Sequence, residues 1–188
     1  MARWEPDSRG RLERAALALY GERGFDNTTV AEIAARAGLT ERTFFRYFAD
    51  KREVLFWGAA SLQEHLVNSV SAAPQTAPPI EAVAAALEAT GTVFDDERRD
   101  GARQRQHVIS ANTELREREL IKLASLGGAL AEALRGRGVE DPAATLAAEA
   151  GIAVFKVAFE RWVGHTEGDY AHFVREALAE LRAVTAGT

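Results

Sequence analysis

A chain of 188 residues with 47% hydrophobic content can bury a sizeable core, which excludes a disordered polypeptide and points to one large domain or a small module joined to a larger one. Cysteine is absent, which removes disulfides, cysteine-ligated zinc and cysteine nucleophiles and suits a reducing compartment. The net charge of −5 argues against a polyanionic partner only until it is divided along the chain: residues 1–56 stand at +1, while residues 57–188 stand at −6.

A near-neutral segment still binds phosphates when its cations converge on one face, because a polyanion senses the local field. No apolar run reaches the roughly 18 residues of a membrane span, and the start, MARWEPDSRG, has no apolar stretch of a signal peptide. A soluble, cytoplasmic protein with no membrane partner is therefore expected.

From Ser8 the apolar residues Leu12, Ala15, Ala16, Leu19 and Tyr20 recur at helical spacing and predict a first helix that stops at Gly24. Thr29 with Glu32 three residues on is a capping box, and it opens a short second helix whose inner face is Val30, Ile33, Ala34 and Ala37, ending near Gly38. Thr40 is the N-cap of a third helix to about Phe48. Asp50 with Glu53 repeats the acidic cap pattern and predicts a fourth from Lys51 to about Ser71. The stretch AAPQTAPPIE, with three of the five prolines, reads as the linker.

Beyond it, Ile80 to about Phe94 predicts a helix, DDERRDG a polar turn, and Ala102 to Arg135 two helices with Asn112 and Thr113 at the second start. Asp141 is expected to cap a helix with Pro142 in its first turn; that helix carries Leu146, Ile152, Phe155, Phe159, Trp162 and Val163. A final helix presents Tyr170, Phe173, Val174, Ala177, Leu178, Leu181 and Val184 on one face. No strand pattern and no internal repeat interrupts this all-α reading.

Two short helices joined through AGLT, with glycine at the corner, have the size of a helix-turn-helix, whose second helix enters a major groove. A plain helical hairpin has the same punctuation. Within TERTFFRYF, setting Thr40 at zero puts Phe44 at about 40°, Phe48 at about 80° and Phe45 at about 140° around the helix. Either Phe44 or Phe45 can then pair with Phe48 in the core.

The stretch GFDNTTVAEIAARAGLTERTFFRYFADKREVL, residues 24–55, resembles the DNA-binding segment of the TetR family of bacterial transcriptional regulators. It has the Gly-aromatic pair, the Thr pair, an Ile-Ala helix, Ala-Gly-hydrophobic-Thr, an aromatic cluster ending in Phe, and a following Lys. The resemblance covers residues 8–56 closely, and the remainder through length and helical content. It implies an all-α fold of about nine helices: a helix-turn-helix domain over residues 1–50 and a regulatory and dimerisation domain over 51–188, with the fourth helix, about 51–71, connecting the two. It implies a homodimer through the last two helices, with the apolar stripes around Phe155 and Phe173 as candidates for the pairing face.

The resemblance also distributes roles. Phe44 and Phe48 are expected in the core, and Phe45, commonly tyrosine at this position in the family, is expected to face DNA. Arg42 and Arg46 can reach base edges or phosphates, and Thr29, Thr40, Thr43, Tyr47 and Lys51 match backbone-contacting positions. Arg3, Arg9 and Arg11 are candidates for a basic arm. By analogy the protein is a repressor that binds a palindromic double-stranded DNA operator and responds to a small apolar or amphipathic ligand, acyl-CoA-like in type. Trp57, Phe94, Phe155, Phe159 and Trp162 are the candidate pocket residues.

The alternative reading is a helical small-molecule-binding or scaffold protein without sequence-specific DNA binding. An enzyme is not expected: His65, His107, His165 and His172 are scattered, RGRG and LGG lack the Lys-Ser/Thr of a phosphate loop, and no nucleophile elbow occurs. No metal or cofactor is expected.

Overall fold

A computed structural model describes residues 7–186, which form nine α-helices and two short 3-10 turns with no strand among the described residues. They divide into two compact units. One is the chain up to Gly58 together with Gln104–Glu119; the other is Ala59–Arg103 together with the chain from Leu120 onward.

The first unit holds helices α1 (Ser8–Arg23), α2 (Val30–Arg36) and α3 (Glu41–Tyr47). Helix α1 begins where the Asp7 carboxylate accepts the Gly10 amide at 3.0 Å, and ends at Gly24, whose φ of 82° is positive but whose ψ of 159° is extended rather than the left-handed helical cap expected of that glycine. The α2 capping box forms: Thr29 Oγ1 accepts from the Glu32 amide at 3.3 Å, and the Glu32 carboxylate accepts from the Thr29 amide at 2.9 Å. The turn into α3 is made at Gly38, φ 66°, where an added Cβ would meet Arg11 Nη2 at 2.7 Å. Leu12, Ala16, Leu19, Tyr20, Ile33 and Phe44 form the core of this unit.

The expected fourth helix does not start at Lys51. The Asp50 carboxylate takes the amides of Arg52 at 2.8 Å and Glu53 at 3.1 Å, which opens a 3-10 turn, Glu53–Leu55, instead of a long helix. The chain then passes through turns at Phe56–Gly58, and α4 runs Ala59–Ala72. Val54, Leu55 and Phe56 are buried in the first unit, so that unit extends past residue 50 to Gly58.

Helices α6 (Asp96–Ala111) and α7 (Thr113–Gly136) each run from one unit into the other. The stretch DDERRDG is the opening of α6 rather than a turn, because Asp95 accepts the Arg98 amide at 3.0 Å as a cap. Asn112 caps α7 by accepting the Leu115 amide at 3.1 Å, as its position predicts. Between them, Val108, Ile109 and Leu115 enter the core of the first unit. Arg105 is half-buried there: its Nε donates to the Leu55 carbonyl at 2.6 Å, Glu119 lies 3.6 Å away, and the Phe56 ring centroid is 5.2 Å from its guanidinium carbon.

In the second unit α5 (Pro79–Ala89) and α9 (Tyr170–Thr185) pack on α8 (Ala143–Gly164). Gly151 allows the close approach of α5, since a Cβ there would stand 2.3 Å from Val83 Cγ1. Pro142 is the N-cap of α8 rather than part of its first turn, after a cis Asp141–Pro142 bond, and the Asp141 carboxylate accepts from Arg135 Nε at 2.8 Å and Thr145 Oγ1 at 2.9 Å. Phe173 is buried and Phe155 half-buried in the core of their own unit, so those two stripes serve the intramolecular core. Val184, placed with them by spacing, is 79% exposed, as is Leu146 at 65%.

Candidate nucleic-acid interface

Helix α3 presents two different faces. Phe44 is 0% and Phe48 3% exposed, with ring centroids 5.4 Å apart, whereas Phe45 is 55% exposed. The choice that spacing leaves open is made by packing: Phe44 joins Ile33 and Leu12 in the core, a burial that stabilises by about 2–3 kcal/mol. Thr40 caps α3 through the Thr43 amide at 3.2 Å, and the two hydroxyls lie 3.0 Å apart. The outward side then carries Arg42, Phe45 and Arg46.

Charge compensation separates this face from the rest of the unit. Arg14, Arg23, Arg36, Arg52, Arg105 and Arg118 each meet a carboxylate. Arg9, Arg42 and Arg46 meet none among the described residues, and Arg116 on α7 donates to Thr113. Arg42 has neither ion pair nor hydrogen bond among the described residues. Arg46 is engaged: its Nη2 donates to the Tyr47 hydroxyl at 3.1 Å, and its guanidinium carbon lies 4.8 Å from that ring centroid.

Lys51 is held within its own unit. Its ammonium donates to the carbonyls of Phe25 at 2.8 Å, Thr28 at 2.9 Å and Asp26 at 3.4 Å, and sits 4.3 Å from the Phe25 ring centroid. An ammonium has three donors, enough for these three carbonyls. Tyr20 Oη donates to the Lys51 carbonyl at 2.7 Å, and burial raises the Tyr20 phenol above its ordinary range. Lys51 thus ties the end of α3 to the α1–α2 turn. Thr29 is occupied in the capping box, and hydrogen bonds from the Thr29 backbone and side chain hold the Glu32 carboxyl below its usual value.

Of the expected arm, Arg3 lies outside the described residues, whereas Arg9 and Arg11 belong to α1. The Arg9 guanidinium carbon is 5.4 Å from the ring centroids of both Tyr47 and Trp57. Trp57 is therefore in the first unit, 41% exposed, and its side chain also bonds Glu13, whose carboxyl burial pushes up.

The other four candidate pocket residues come together in the second unit. Phe94 lies 6.1 Å from Phe155, 5.6 Å from Phe159 and 5.6 Å from Trp162, ring centroid to centroid. Tyr170, which sequence reasoning placed only on a core stripe, joins them 4.7 Å from Phe94. The three phenylalanines are half-buried over a fully buried floor of Trp162 and Tyr170, and Trp162 Nε1 has no hydrogen-bond acceptor. The Arg99 guanidinium lies over the Trp162 ring at 5.4 Å, a contact the sequence did not signal.

Residues 13–56 match the profile of bacterial regulatory proteins of the tetR family, and residues 77–186 match that of the MftR C-terminal domain. The chain belongs to the TetR family. Its all-helical architecture and helix-turn-helix are those of TetR regulators. TcmR of Streptomyces glaucescens, an HTH-type transcriptional regulator, is 35% identical over 48% of this chain and 40% of its own length. MftR of Mycobacterium tuberculosis, named for the regulation of mycofactocin biosynthesis, is 32% identical over 55% of this chain and 52% of its own. The chain thus spans about half the length of these curated relatives, or less. Among solved TetR structures, the repressor FadR of Thermus thermophilus in complex with lauroyl-CoA is 26% identical over 92% of each chain, with a TM-score of 0.54. No helix among the described residues is long and apolar enough to cross a membrane.

Proposed function

We propose that this TetR-family chain is a ligand-responsive transcriptional repressor that binds a palindromic operator as a homodimer. The observation that carries the reading is the uncompensated outer face of α3: Arg42 and Arg46 without carboxylate partners, beside the exposed Phe45 ring, on a helix whose opposite side is locked into the core. Arg42 is the base reader, since its fork is free for a bidentate contact to guanine, and Phe45 supplies an apolar contact to a thymine methyl. Thr40, Thr43, Tyr47 and Arg46 face the backbone, where contacts fix register rather than sequence. Thr29 remains a candidate backbone contact beside its capping role.

The dimer forms through α8 and α9. Leu146, Ala150, Ala153 and Val157 recur along α8 at the spacing of a helix-pairing seam, with exposed Ala179 and Ala183 on α9. The ligand is amphipathic and acyl-CoA-like: an apolar chain suits the half-buried Phe94, Phe155 and Phe159, and the orphan Trp162 N–H suits a carbonyl acceptor. The lauroyl-CoA complex of the Thermus FadR supports that class.

Selection of bound duplexes from random DNA at moderate salt tests the reading. The expected product is a palindrome whose half-sites lie about 34 Å apart or at a multiple of that distance, released when lauroyl-CoA is added. Enrichment of no palindrome contradicts the regulator, and a complex indifferent to lauroyl-CoA contradicts the acyl ligand.

A further inference from the structure

We propose that Arg9 of α1 joins Arg46 and Tyr47 of α3 in a clasp for one backbone phosphate of duplex DNA, so that the interface extends beyond the recognition helix. The proposal rests on the DNA-binding reading and adds a site to it. Two guanidiniums share the Tyr47 ring, with their carbons 5.4 Å and 4.8 Å from its centroid. They are therefore no farther apart than about 10 Å, one Debye length at 0.1 M ionic strength, and neither has a carboxylate to offset the other. The ring quadrupole holds both cations without neutralising them. An anion between them removes the repulsion.

The hydrogen-bond inventory selects a phosphate oxygen. Arg46 Nη2 donates to the Tyr47 oxygen at 3.1 Å, which leaves the phenolic O–H itself without an acceptor among the described residues. A donor already accepting a charge-assisted bond is polarised, and its own bond to a third group is strengthened. Arg9 is held from both sides, 5.4 Å from the Tyr47 and 5.4 Å from the Trp57 ring centroids, so its position is largely fixed before DNA arrives. The clasp thus offers guanidinium donors from two helices and one hydroxyl to a tetrahedral oxyanion, with no atom aimed at a base edge.

The salt dependence of binding to a random-sequence duplex reads the clasp directly, because each phosphate contact contributes a slope of about 0.9 in log affinity against log salt. Arg9→Gln is expected to reduce the slope by a measurable fraction of one per protomer, since Arg46 still faces the shared phosphate, and affinity about tenfold, with base preferences unchanged. Arg9→Lys, which keeps the charge, is expected to keep the slope. Tyr47→Phe keeps the ring and loses the hydroxyl; a weaker complex with an unchanged slope is expected. Arg9→Gln or Tyr47→Phe protein of wild-type helicity that binds with wild-type slope and affinity overturns the clasp and leaves the DNA-binding reading standing. A wild-type protein that binds no duplex at low salt removes both.

Discussion

Lys51 and Arg42 carry the same charge at opposite degrees of freedom, and that difference decides what each can do. Lys51 spends its donors on the carbonyls of Phe25, Asp26 and Thr28, so it holds the turn ahead of α2 and, through its own carbonyl and Tyr20, the end of α3. Replacing it removes two part-buried bonds, to the Phe25 and Thr28 carbonyls, and one exposed bond to Asp26. Lys51→Met is therefore expected to lower the stability of the first unit by about 1–3 kcal/mol in denaturant unfolding while sequence preference is retained. A variant with unchanged stability and a reduced salt slope would assign Lys51 to phosphate instead. The sequence could not distinguish these, because the family pattern fixes where a lysine stands and not where its ammonium turns.

At the scale of elements, punctuation was the legible part. Thr29 with Glu32, Thr40 before α3 and Asn112 before α7 are local caps, and each forms where spacing puts it. Elements whose limits depend on competition between neighbouring bonds were less legible. Asp50 resembles an N-cap, but its carboxylate closes a tight turn on Arg52 and Glu53, and further turns at Phe56–Gly58 precede α4. DDERRDG looks like a polar turn by composition, yet it forms the first turns of α6, started by Asp95, with Arg99 turned in over Trp162.

The pairing of α8 and α9 is the other case. Periodicity finds the apolar stripe around Phe155 and Phe173, and packing shows that stripe turned inward, leaving Leu146, Ala153 and Val157 outside. Small residues allow close approach of a partner helix, and a charge there is buried without a counter-ion on association. Ala153→Glu is expected to convert a dimer into monomers in sedimentation while leaving helicity intact. Dimers that survive this substitution would move the interface elsewhere.

Across the whole molecule, the helix-turn-helix was readable because its helices are set by local residues: caps, Gly38 at the corner, and the aromatic pair Phe44 and Phe48. What escaped the sequence is long-range. Residues Gln104–Glu119 bury Val108, Ile109 and Leu115 in the same core as Leu12 and Phe44, and Tyr170 of α9 meets Phe94 of the bend ahead of α6. Trp57, grouped with the other large aromatics by residue type, lies instead beside Arg9 in the first unit. No period or motif announces such meetings, since they are fixed only when separate helices pack.

The proposed base reader is Arg42, whose free fork stands on a helix anchored by Phe44 and Phe48. Parallel selection of random duplexes with the wild type and Arg42→Ala measures it most directly. The predicted result is one shared palindrome in which a single base pair per half-site loses about 1–3 kcal/mol of discrimination in the variant. Equal preference at every position, with affinity lowered uniformly, would contradict it.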